Sequence, residues 1–217
     1  PVDPARYTIP DYASIQQRAA VETTDPLVMV VAGAGAGKTW TITERIRMLT
    51  LGCSVVPSSI LALSFTNAAA DEIRDRNPGI ESKTIARMIH EIYTHNFADQ
   101  ELSTMETIQN SLGIYFGPKV ETDPVLSEFH RLVGKSIVKE TNADIIAMSA
   151  FIERYTSEVV TILNTIGQTT LELEIILSYL LIDRLVEPYP SPAYLIIDEV
   201  QDNSAFQFVY AMRYAAK

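Results

Sequence analysis

The chain has 217 residues, of which 47% are hydrophobic, so it can bury a proper core as one large domain or as a domain with an insertion. Its net charge of −10 argues against a protein that simply coats nucleic acid, because non-specific binding depends on neutralising phosphates with basic side chains. The single cysteine, Cys53, excludes an internal disulfide and is expected to be a buried thiol. The histidines lack the cysteine or carboxylate spacing of a zinc site.

The sequence opens without the charged and apolar regions of a secretory signal. Its most apolar run, Ile175 to Ile182, is far too short to cross a bilayer. We therefore expect a cytoplasmic protein with no membrane contact. The charge is uneven, since residues 98–190 contain 14 acidic and six basic residues whereas residues 1–97 contain ten and nine.

The first elements lead into a glycine-rich loop. Residues 1–12 are rich in proline and tyrosine without periodicity, which predicts an extended lead-in. Ser14 is a typical N-cap residue, so we predict a short helix from Ile15 to Glu22. The apolar, partly β-branched run from Leu27 to Ala32 predicts a buried strand that ends at the loop.

A phosphate-binding loop is predicted directly after this strand. Its glycines allow the backbone to turn tightly, so that N–H groups surround an anion: Gly33, Gly35 and Gly37. The usual pattern G-x-x-x-x-G-K-[ST] has glycine where this chain has Ala32, so the formal match is imperfect. The strand before the loop and the helical pattern after it, from Thr39 to Leu51, favour a nucleotide site over a flexible linker.

Two side chains at the end of the loop supply its chemistry. Lys38 can reach the β- and γ-phosphates as a point charge, and Thr39 offers a hydroxyl to Mg²⁺. The helix that begins here points its positive end at the same phosphates. The sequence therefore predicts a site for a nucleotide with Mg²⁺.

A second apolar strand, Ile60 to Phe65, runs into Thr66 and Asn67 and then into a helix predicted from Ala68 to Arg76. Strands separated by helices indicate an α/β fold with a parallel sheet and right-handed crossovers. Ligands of such sheets gather at the carboxyl ends of the strands, where Phe65, Thr66 and Asn67 lie.

The middle of the chain, residues 98–187, is predicted to be helical throughout, after a helix from Thr84 to Phe97. Its clearest pattern is an apolar stripe with alternating spacings of three and four: Ile145, Met148, Ile152, Tyr155, Val159, Ile162 and Ile166. Such a stripe favours a packed helix over a cofactor site. A helix from Leu171 to Leu185 is apolar enough to be its buried partner, and a stiff connector follows at Pro188, Pro190 and Pro192.

A third short strand, Tyr194 to Ile197, ends in the acidic turn Asp198 to Asp202. A carboxylate at the tip of a buried apolar strand can hold Mg²⁺ between the protein and the phosphates, and Asp198 is the candidate. Glu199 is the candidate for orienting or deprotonating an attacking water. With a phosphate loop in the same chain, this interpretation is favoured over a solvated acidic turn.

The chain resembles the first half of a UvrD/Rep-type superfamily 1 DNA helicase through four stretches in the family's order. Gln17 to Val21 is similar to the Q motif, and Ala32 to Thr39 is similar to the family's Walker A, in which alanine commonly opens the loop. Leu61 to Ala70 resembles motif Ia. Asp198 to Asp202 matches the specific D-E-x-Q-D form of motif II.

The resemblance implies a RecA-like α/β domain made of residues 1–97 and 188–217, with a parallel sheet flanked by helices. Residues 98–187 fall where the family inserts its helical 1B subdomain. The chain ends soon after motif II, so the resemblance implies the N-terminal part of a longer helicase. In the family, arginines of a C-terminal RecA-like domain complete the ATP site.

The resemblance also implies roles for individual residues around ATP and Mg²⁺. The nucleotide is bound by Gln17, Gly33, Ala34, Gly35, Ala36, Gly37, Lys38, Thr39 and Trp40. Gln17 reads the adenine, and Thr39 with Asp198 holds Mg²⁺. Lys38, Glu199 and Gln201 form the catalytic set: Lys38 binds the phosphates, Glu199 activates water, and Gln201 couples loss of the γ-phosphate to movement of DNA.

The residues that the resemblance places on single-stranded DNA are Phe65, Thr66, Asn67 and Thr84. A stacking aromatic with small polar donors suits a strand that is held without regard to sequence. The family tends to show T-F-H where this chain has Thr84-Ile85-Ala86, and it usually has lysine where this chain has Ala68. The acidic insertion also opposes a grip on duplex DNA.

Trp40 is a further departure, because the family often has arginine there. Its indole could stack on adenine or simply pack against the helix, and the sequence leaves both open.

We therefore expect the ATP-binding part of a DNA helicase that translocates 3′ to 5′ on single-stranded DNA, with weak Mg-ATP binding and little turnover by this chain alone. A nucleotide-gated protein-interaction module, which would use the acidic helices to bind a partner, is the alternative from another class. A small-molecule P-loop kinase predicts an arginine-rich lid, which the arginine-poor middle does not offer.

Overall fold

The computed structural model describes residue 3 and residues 5–33, 35–97, 100–138, 142–182 and 191–215. The chain divides into two compact units, of which one is formed by residues 1–85 and 189–217 and the other by residues 86–188. We call them the sheet unit and the helical unit. Each has a hydrophobic core of its own. The predicted boundaries were 97/98 and 187/188, whereas these units meet at 85/86 and 188/189.

The helices and strands follow one another in this order: α1 (Ile15–Glu22), α2 (Lys38–Arg47), β1 (Ile60–Ser64), α3 (Asn67–Arg76), β2 (Glu81–Thr84), α4 (Ile85–Asn96), β3 (Glu101–Leu102), α5 (Met105–Phe116), α6 (Lys119–Thr122), α7 (Pro124–Val138), α8 (Asn142–Arg154), α9 (Thr156–Ile166), β4 (Gln168–Thr169), α10 (Leu171–Leu180), β5 (Tyr194–Ile197) and α11 (Ala205–Ala215). A π-helical turn, Met48–Gly52, extends α2. No helix in these described stretches is both long and apolar enough to cross a membrane.

The sheet unit is built on three parallel strands in the order β2-β1-β5. Leu61 of β1 lies opposite Glu81 of β2 and Leu195 of β5. Every residue of β1 is buried, as expected for a central strand covered by helices. The predicted α/β fold with a parallel sheet flanked by helices is therefore confirmed.

The lead-in contributes to the core, contrary to the prediction of a merely extended segment. Tyr7 and Ile9 are buried in the same cluster as Val21, Ile46 and Ile60. The Tyr7 hydroxyl donates to Glu44 Oε2 at 2.9 Å, and burial together with this carboxylate raises the pKa of Tyr7. A segment without helical or strand periodicity can still place side chains in a core when it lies across that core, and hydrophobic periodicity in the sequence does not reveal such burial.

The prediction of a buried strand from Leu27 to Ala32 is wrong for this structure. These residues form no strand, and Leu27 to Val31 are 43–86% exposed. A strand requires a neighbour that pairs with its backbone and a layer that covers its side chains. No described strand pairs with this run, and β5 lies at the edge of the sheet. High β-propensity alone therefore does not form a strand here.

The strand that carries the acidic turn is also less buried than predicted. Tyr194 is exposed and the other residues of β5 are half-buried, in keeping with its position at the edge of the sheet. Its predicted bounds, Tyr194 to Ile197, are confirmed. Cys53 is likewise half-buried rather than buried, with its Sγ atom 3.5 Å from Met48 Sδ.

The helical unit packs its helices around a large apolar core. Its fully buried members include Tyr93, Ile108, Leu112, Phe129, Val133, Ile152, Val159, Leu163, Leu173 and Leu177. The two-residue strands β3 and β4 pair in parallel. Strands this short leave no readable pattern, and the sequence did not predict them.

The apolar stripe of residues 145–166 is divided between two helices rather than carried by one. Tyr155, at φ −123° and ψ 37°, separates α8 from α9. The Thr156 hydroxyl donates to Ile152 O at 2.7 Å and so occupies a carbonyl near the break. Most of the stripe is still buried in one core, which includes Met148 and Ile152 of α8 and Val159, Ile162 and Ile166 of α9, whereas Ile145 is half-buried and lies outside that cluster.

The predicted helix from Leu171 to Leu185 is α10, which ends at Leu180. Its last predicted residues, 183–185, and two residues of the predicted connector, Pro188 and Pro190, lie outside the described residues. Residue 98, where the predicted insertion begins, lies outside them as well.

Candidate functional site

The glycine-rich loop turns through two left-handed residues before α2. Gly35 has φ +73° and Gly37 has φ +82°, and Gly37 is the N-cap of α2. The Ala36 N–H donates to Gly33 O at 3.3 Å, which closes a tight turn. Such geometry aims backbone N–H groups and a helix N-terminus in a common direction, as an anion site requires. Ala34 lies outside the described residues.

Gln17 is held against this loop by α1. The Gln17 side-chain carbonyl accepts from Ser14 N–H at 2.9 Å, and the Ser14 hydroxyl accepts from Gln17 N–H at 3.2 Å. This capping box begins α1 at Ile15, as predicted. The Gln17 amide nitrogen donates to Ala36 O at 3.3 Å, which places the side chain on the loop.

Arg45 ties the other end of α1 to α2. Its Nη1 atom donates to Val21 O and Thr23 O, both at 2.6 Å. These two charge-assisted hydrogen bonds, one to the last turn of α1 and one to the residue that caps it, fix that helix beside α2. The sequence-based prediction missed this residue, because a basic residue in the last turn of a helix does not by itself indicate a contact with another helix.

Lys38 connects the loop to the acidic turn. Its Nζ atom lies 3.2 Å from Glu199 Oε1. The Gln201 amide donates to the other oxygen of Glu199. The amide of Gln201 and the ammonium of Lys38 lower the pKa of Glu199, so this carboxylate is ionised. The structure thus brings Lys38 together with Glu199 and Gln201, two neighbouring residues of the acidic turn that lie far from Lys38 in the sequence.

Glu199 has a backbone conformation that is unusual for a residue with a side chain. Its φ of +48° lies in the left-handed region, which is costly outside glycine. This conformation begins the short turn Val200–Asp202 after β5 and lets the Glu199 N–H donate to Asp198 Oδ1 at 3.0 Å. Strain of this kind is often found at functional sites.

Asp198 is the buried carboxylate of the site. It is 7% exposed, and its N–H donates to Leu63 O at 2.8 Å, which continues the pairing of β5 with β1. Burial raises the pKa of Asp198, and the Glu199 N–H opposes that rise. A nearby cation would favour the ionised form.

Oxygen ligands in this part of the site suit Mg²⁺. The Asp198 carboxylate and the Thr39 hydroxyl are hard donors, and Mg²⁺ in nucleotide sites commonly takes one or two protein oxygens with the phosphates and water. No group of three or more histidine, cysteine or acidic side chains that could cage a metal occurs among the described residues. The hydroxyl of Thr39 and the carboxylate of Asp198 are therefore of the type that a metal bound together with phosphates accepts.

The carboxyl end of β1 presents the candidate DNA contacts. Phe65 is 50% exposed, and Thr66 and Asn67 are exposed where α3 begins. The Thr66 hydroxyl accepts from Ala69 N–H at 3.2 Å and caps α3. Thr84, at the end of β2, is only 9% exposed and differs in this respect from the other three.

The parallel register brings these strand ends to one edge of the sheet. Leu63 of β1 lies opposite Ile197 of β5, so Phe65 and Asp198 follow strands that finish at the same edge. The sheet therefore places a candidate nucleic-acid surface and the acidic turn as neighbours.

Trp40 lies beside the loop and is half-buried against the core of the sheet unit. Its ring centroid is 5.7 Å from that of Tyr12, and the planes are tilted by 53°. The sequence-based prediction missed Tyr12, because a segment without periodicity does not indicate which other side chains its tyrosine contacts.

A family model described as the UvrD/REP helicase N-terminal domain matches residues 13–168. The ATP-dependent DNA helicase PcrA of Leuconostoc citreum is 45% identical over 74 residues, which cover 34% of this chain and 10% of that protein. A probable DNA helicase II homolog of Mycoplasma capricolum subsp. capricolum is 31% identical over 139 residues, covering 62% of this chain and 18% of that protein. PcrA of Bacillus subtilis is 48% identical over 60 residues, covering 28% and 8%.

The aligned segments span less than a fifth of each of these relatives. The family match, in contrast, extends over most of the present chain and includes the glycine-rich loop, Gln17 and the end of β1. The chain therefore belongs to the UvrD/REP helicase N-terminal domain family.

Proposed function

We propose that this chain is the ATP-binding part of an ATP-dependent DNA helicase that translocates on single-stranded DNA. The observation that carries the proposal is the contact between Lys38 and Glu199, which joins the phosphate loop to the acidic turn. The family match and the helicase relatives support the same function.

In this proposal Lys38 exchanges its carboxylate partner for a phosphate. An arriving triphosphate attracts the ammonium group, and the loop N–H groups with the N-terminus of α2 bind the remaining phosphate oxygens. Thr39 and Asp198 would hold Mg²⁺, which would neutralise charge that develops on the phosphates. A cation held there would offset the rise in the pKa of Asp198 that burial causes.

The same exchange prepares Glu199 as a base. The Gln201 amide and Lys38 lower its pKa while Lys38 contacts the carboxylate. Once Lys38 moves to the phosphates, Glu199 loses a stabilising charge and its pKa rises. A carboxylate released in this way accepts a proton from water more readily. Gln201, whose amide donates to Glu199, is the residue that we propose to sense the γ-phosphate.

Gln17 is proposed to read the adenine. One N–H of its amide is used on Ala36 O, and its carbonyl oxygen accepts from Ser14. An amide has a second N–H and a second lone pair, which form a donor and acceptor pair. The N6 and N7 edge of adenine offers the complementary pair, as in glutamine contacts to adenine elsewhere.

Single-stranded DNA is proposed to cross the carboxyl edge of the sheet, with Phe65 stacking on a base and Thr66 and Asn67 bonding to the backbone. Their exposure supports this role, whereas the burial of Thr84 makes it a weaker contributor. We infer 3′ to 5′ polarity from the family resemblance. The acidic helical unit, proposed as the 1B-like insertion, is not expected to grip duplex DNA.

A second RecA-like domain is proposed to complete the ATP site with arginines. The relatives are far longer than their aligned segments, which leaves room for such a domain in proteins of this kind. Loss of an arginine finger costs about 10³ to 10⁵ in rate in P-loop enzymes. We therefore expect the 217-residue chain to bind Mg-ATP weakly and to hydrolyse it slowly.

A salt titration with labelled single-stranded DNA tests the DNA part of the proposal. Binding should be detectable at low salt, weaken as salt rises, and fall about fivefold or more in Phe65→Ala, which removes a stacking ring. Tyr115→Ala, which removes an exposed ring from the helical unit, should leave binding unchanged. Absence of DNA binding in the presence of Mg-ATP binding would favour the nucleotide-gated interaction module, which the acidic helical unit also suits.

A further inference from the structure

Tyr12 is an exposed aromatic residue on a segment that is otherwise anchored in the core. Its residue exposure is 78%, while Ile9 and Ala13 on either side of it are buried. Single exposed aromatics are common and mean little by themselves. The position of this one, beside the nucleotide site, gives it significance.

A braced turn presents the ring. The Ala13 N–H donates to Pro10 O at 3.0 Å, which closes a turn around Tyr12. The Arg18 guanidinium donates to Pro10 O at 2.8 Å and to Ala13 O at 3.3 Å. Arg18 belongs to α1, the helix that also holds Gln17 on the phosphate loop. The turn and the loop are therefore fixed by one helix.

The Tyr12 ring meets Trp40, the residue that follows Thr39. The two centroids are 5.7 Å apart with a tilt of 53°, a favourable arrangement for aromatic rings. A Cβ built on Gly37 would lie 2.9 Å from the Gln17 amide nitrogen and 3.9 Å from Trp40 Cβ. Gln17, Gly37 and Trp40 are thus immediate neighbours, and Tyr12 extends this group outward.

We propose that Tyr12 contacts the base of the bound nucleoside triphosphate, so that Tyr12 and Trp40 form an aromatic platform next to Gln17. This inference rests on the proposed function, because it deepens the account of the same nucleotide site. Trp40 is packed against the core and anchors the platform, while the exposed ring of Tyr12 supplies the stacking face.

The platform divides recognition between two kinds of contact. Stacking responds to the presence and size of a ring system and tolerates different exocyclic groups. The Gln17 amide responds to the pattern of donors and acceptors. Removal of the Tyr12 ring should therefore weaken the binding of every ligand that has a base. It should leave the binding of a ligand that consists only of phosphates unaffected.

Calorimetry on the full 217-residue chain tests this with two ligands, Mg-ATP and Mg-tripolyphosphate, which has the phosphates but no base. Tyr12→Ala should weaken Mg-ATP about five- to tenfold, the size of an aromatic stacking contribution. Binding of Mg-tripolyphosphate should be unchanged in this variant. Tyr12→Phe keeps the ring and should bind Mg-ATP as the parent does.

Fluorescence gives an independent readout, since Trp40 is the single tryptophan of the chain. Mg-ATP should change its emission, whereas Mg-tripolyphosphate should change it little. Unaltered Mg-ATP affinity in Tyr12→Ala would overturn the platform while leaving the nucleotide site intact. Equal losses for both ligands would also overturn it, because they would indicate a structural role for Tyr12. If the parent chain bound neither ligand, the proposed function itself would fail, and the platform with it.

Discussion

The glycines of the phosphate loop predict a graded series of alanine substitutions. Gly37→Ala should be the most harmful, because φ is +82° and the new Cβ would lie 2.9 Å from the Gln17 amide nitrogen. The left-handed conformation costs about 1–2 kcal/mol for a residue with a Cβ. The displaced amide also loses its hydrogen bond to Ala36 O, worth about 1 kcal/mol. We therefore expect Gly37→Ala to lower the free energy of unfolding by about 2–3 kcal/mol in total.

Gly35→Ala should carry only the conformational cost. Its φ is +73°, and no atom of the described residues lies within 4 Å of the place that the new Cβ would occupy. The expected loss is therefore about 1–2 kcal/mol. Gly33→Ala should be neutral or stabilise the fold by up to about 1 kcal/mol, because φ lies outside the left-handed region and alanine restricts the unfolded chain.

Urea unfolding without nucleotide measures the series, and calorimetry with Mg-ATP measures its effect on the site. Gly37→Ala should lose more Mg-ATP affinity than Gly35→Ala, because it also displaces Gln17. If Gly33→Ala destabilised the fold as much as Gly37→Ala, or if Gly37→Ala had no effect, the loop geometry described above would be refuted.

Other substitutions test the site and the helical unit. Asp198→Asn should remove the part of the ATP affinity that depends on Mg²⁺, while its amide oxygen still accepts from Glu199 N–H. If the parent chain bound ATP with the same affinity in Mg²⁺ and in EDTA, the role of Asp198 would be contradicted. Arg45→Met should lower the stability of the sheet unit by about 1–3 kcal/mol and weaken Mg-ATP binding, as thermal unfolding and calorimetry would show, because two hydrogen bonds to the end of α1 are lost. Burial raises the pKa of Glu174 above its ordinary value of 4.5, an effect that a contact with His90 Nδ1 at 3.0 Å opposes; its other titratable neighbours are Tyr93 on α4 and Glu172 on α10. A carboxyl whose pKa is raised in the folded state contributes its full stabilisation below pH 4.5 and loses it as the pH rises through the folded pKa. Glu174→Gln should therefore flatten the fall in the free energy of unfolding above pH 4.5. A pH profile of stability that is unchanged in this variant would contradict the prediction.

Short sequence patterns predicted those elements whose deciding residues lie close together in the chain. Ser14 and Gln17 form the capping box that begins α1, and the apolar run Tyr194 to Ile197 is a strand with the predicted bounds. In both cases, a short pattern contains the residues that decide the outcome. The glycines of the loop belong to the same class, because positive φ at Gly35 and Gly37 is a local property.

The sequence was insufficient where the outcome depends on a distant neighbour. The run from Leu27 to Val31 has the propensity of a strand but no described strand beside it. The polar strand β2 shows the opposite case, since Ser82, Lys83 and Thr84 are polar and yet lie buried in a strand that pairs with β1. Propensity is overridden by context in both.

The site shows the same division. Lys38 and Asp198 stand in recognisable motifs, whereas the contact between Lys38 and Glu199 depends on how the sheet is assembled. Tyr12 and Arg45 carry no motif, and their positions beside the loop follow only from the packing of the lead-in and of α1.

We propose that the loop from Gly33 to Thr39 binds the phosphates of Mg-ATP through Lys38. Calorimetric titration of Mg-ATP into Lys38→Ala, with Lys119→Ala as an exposed lysine control in the helical unit, tests it most directly. We expect Mg-ATP binding to be lost in Lys38→Ala and unchanged in Lys119→Ala. Unchanged affinity in Lys38→Ala would contradict the claim.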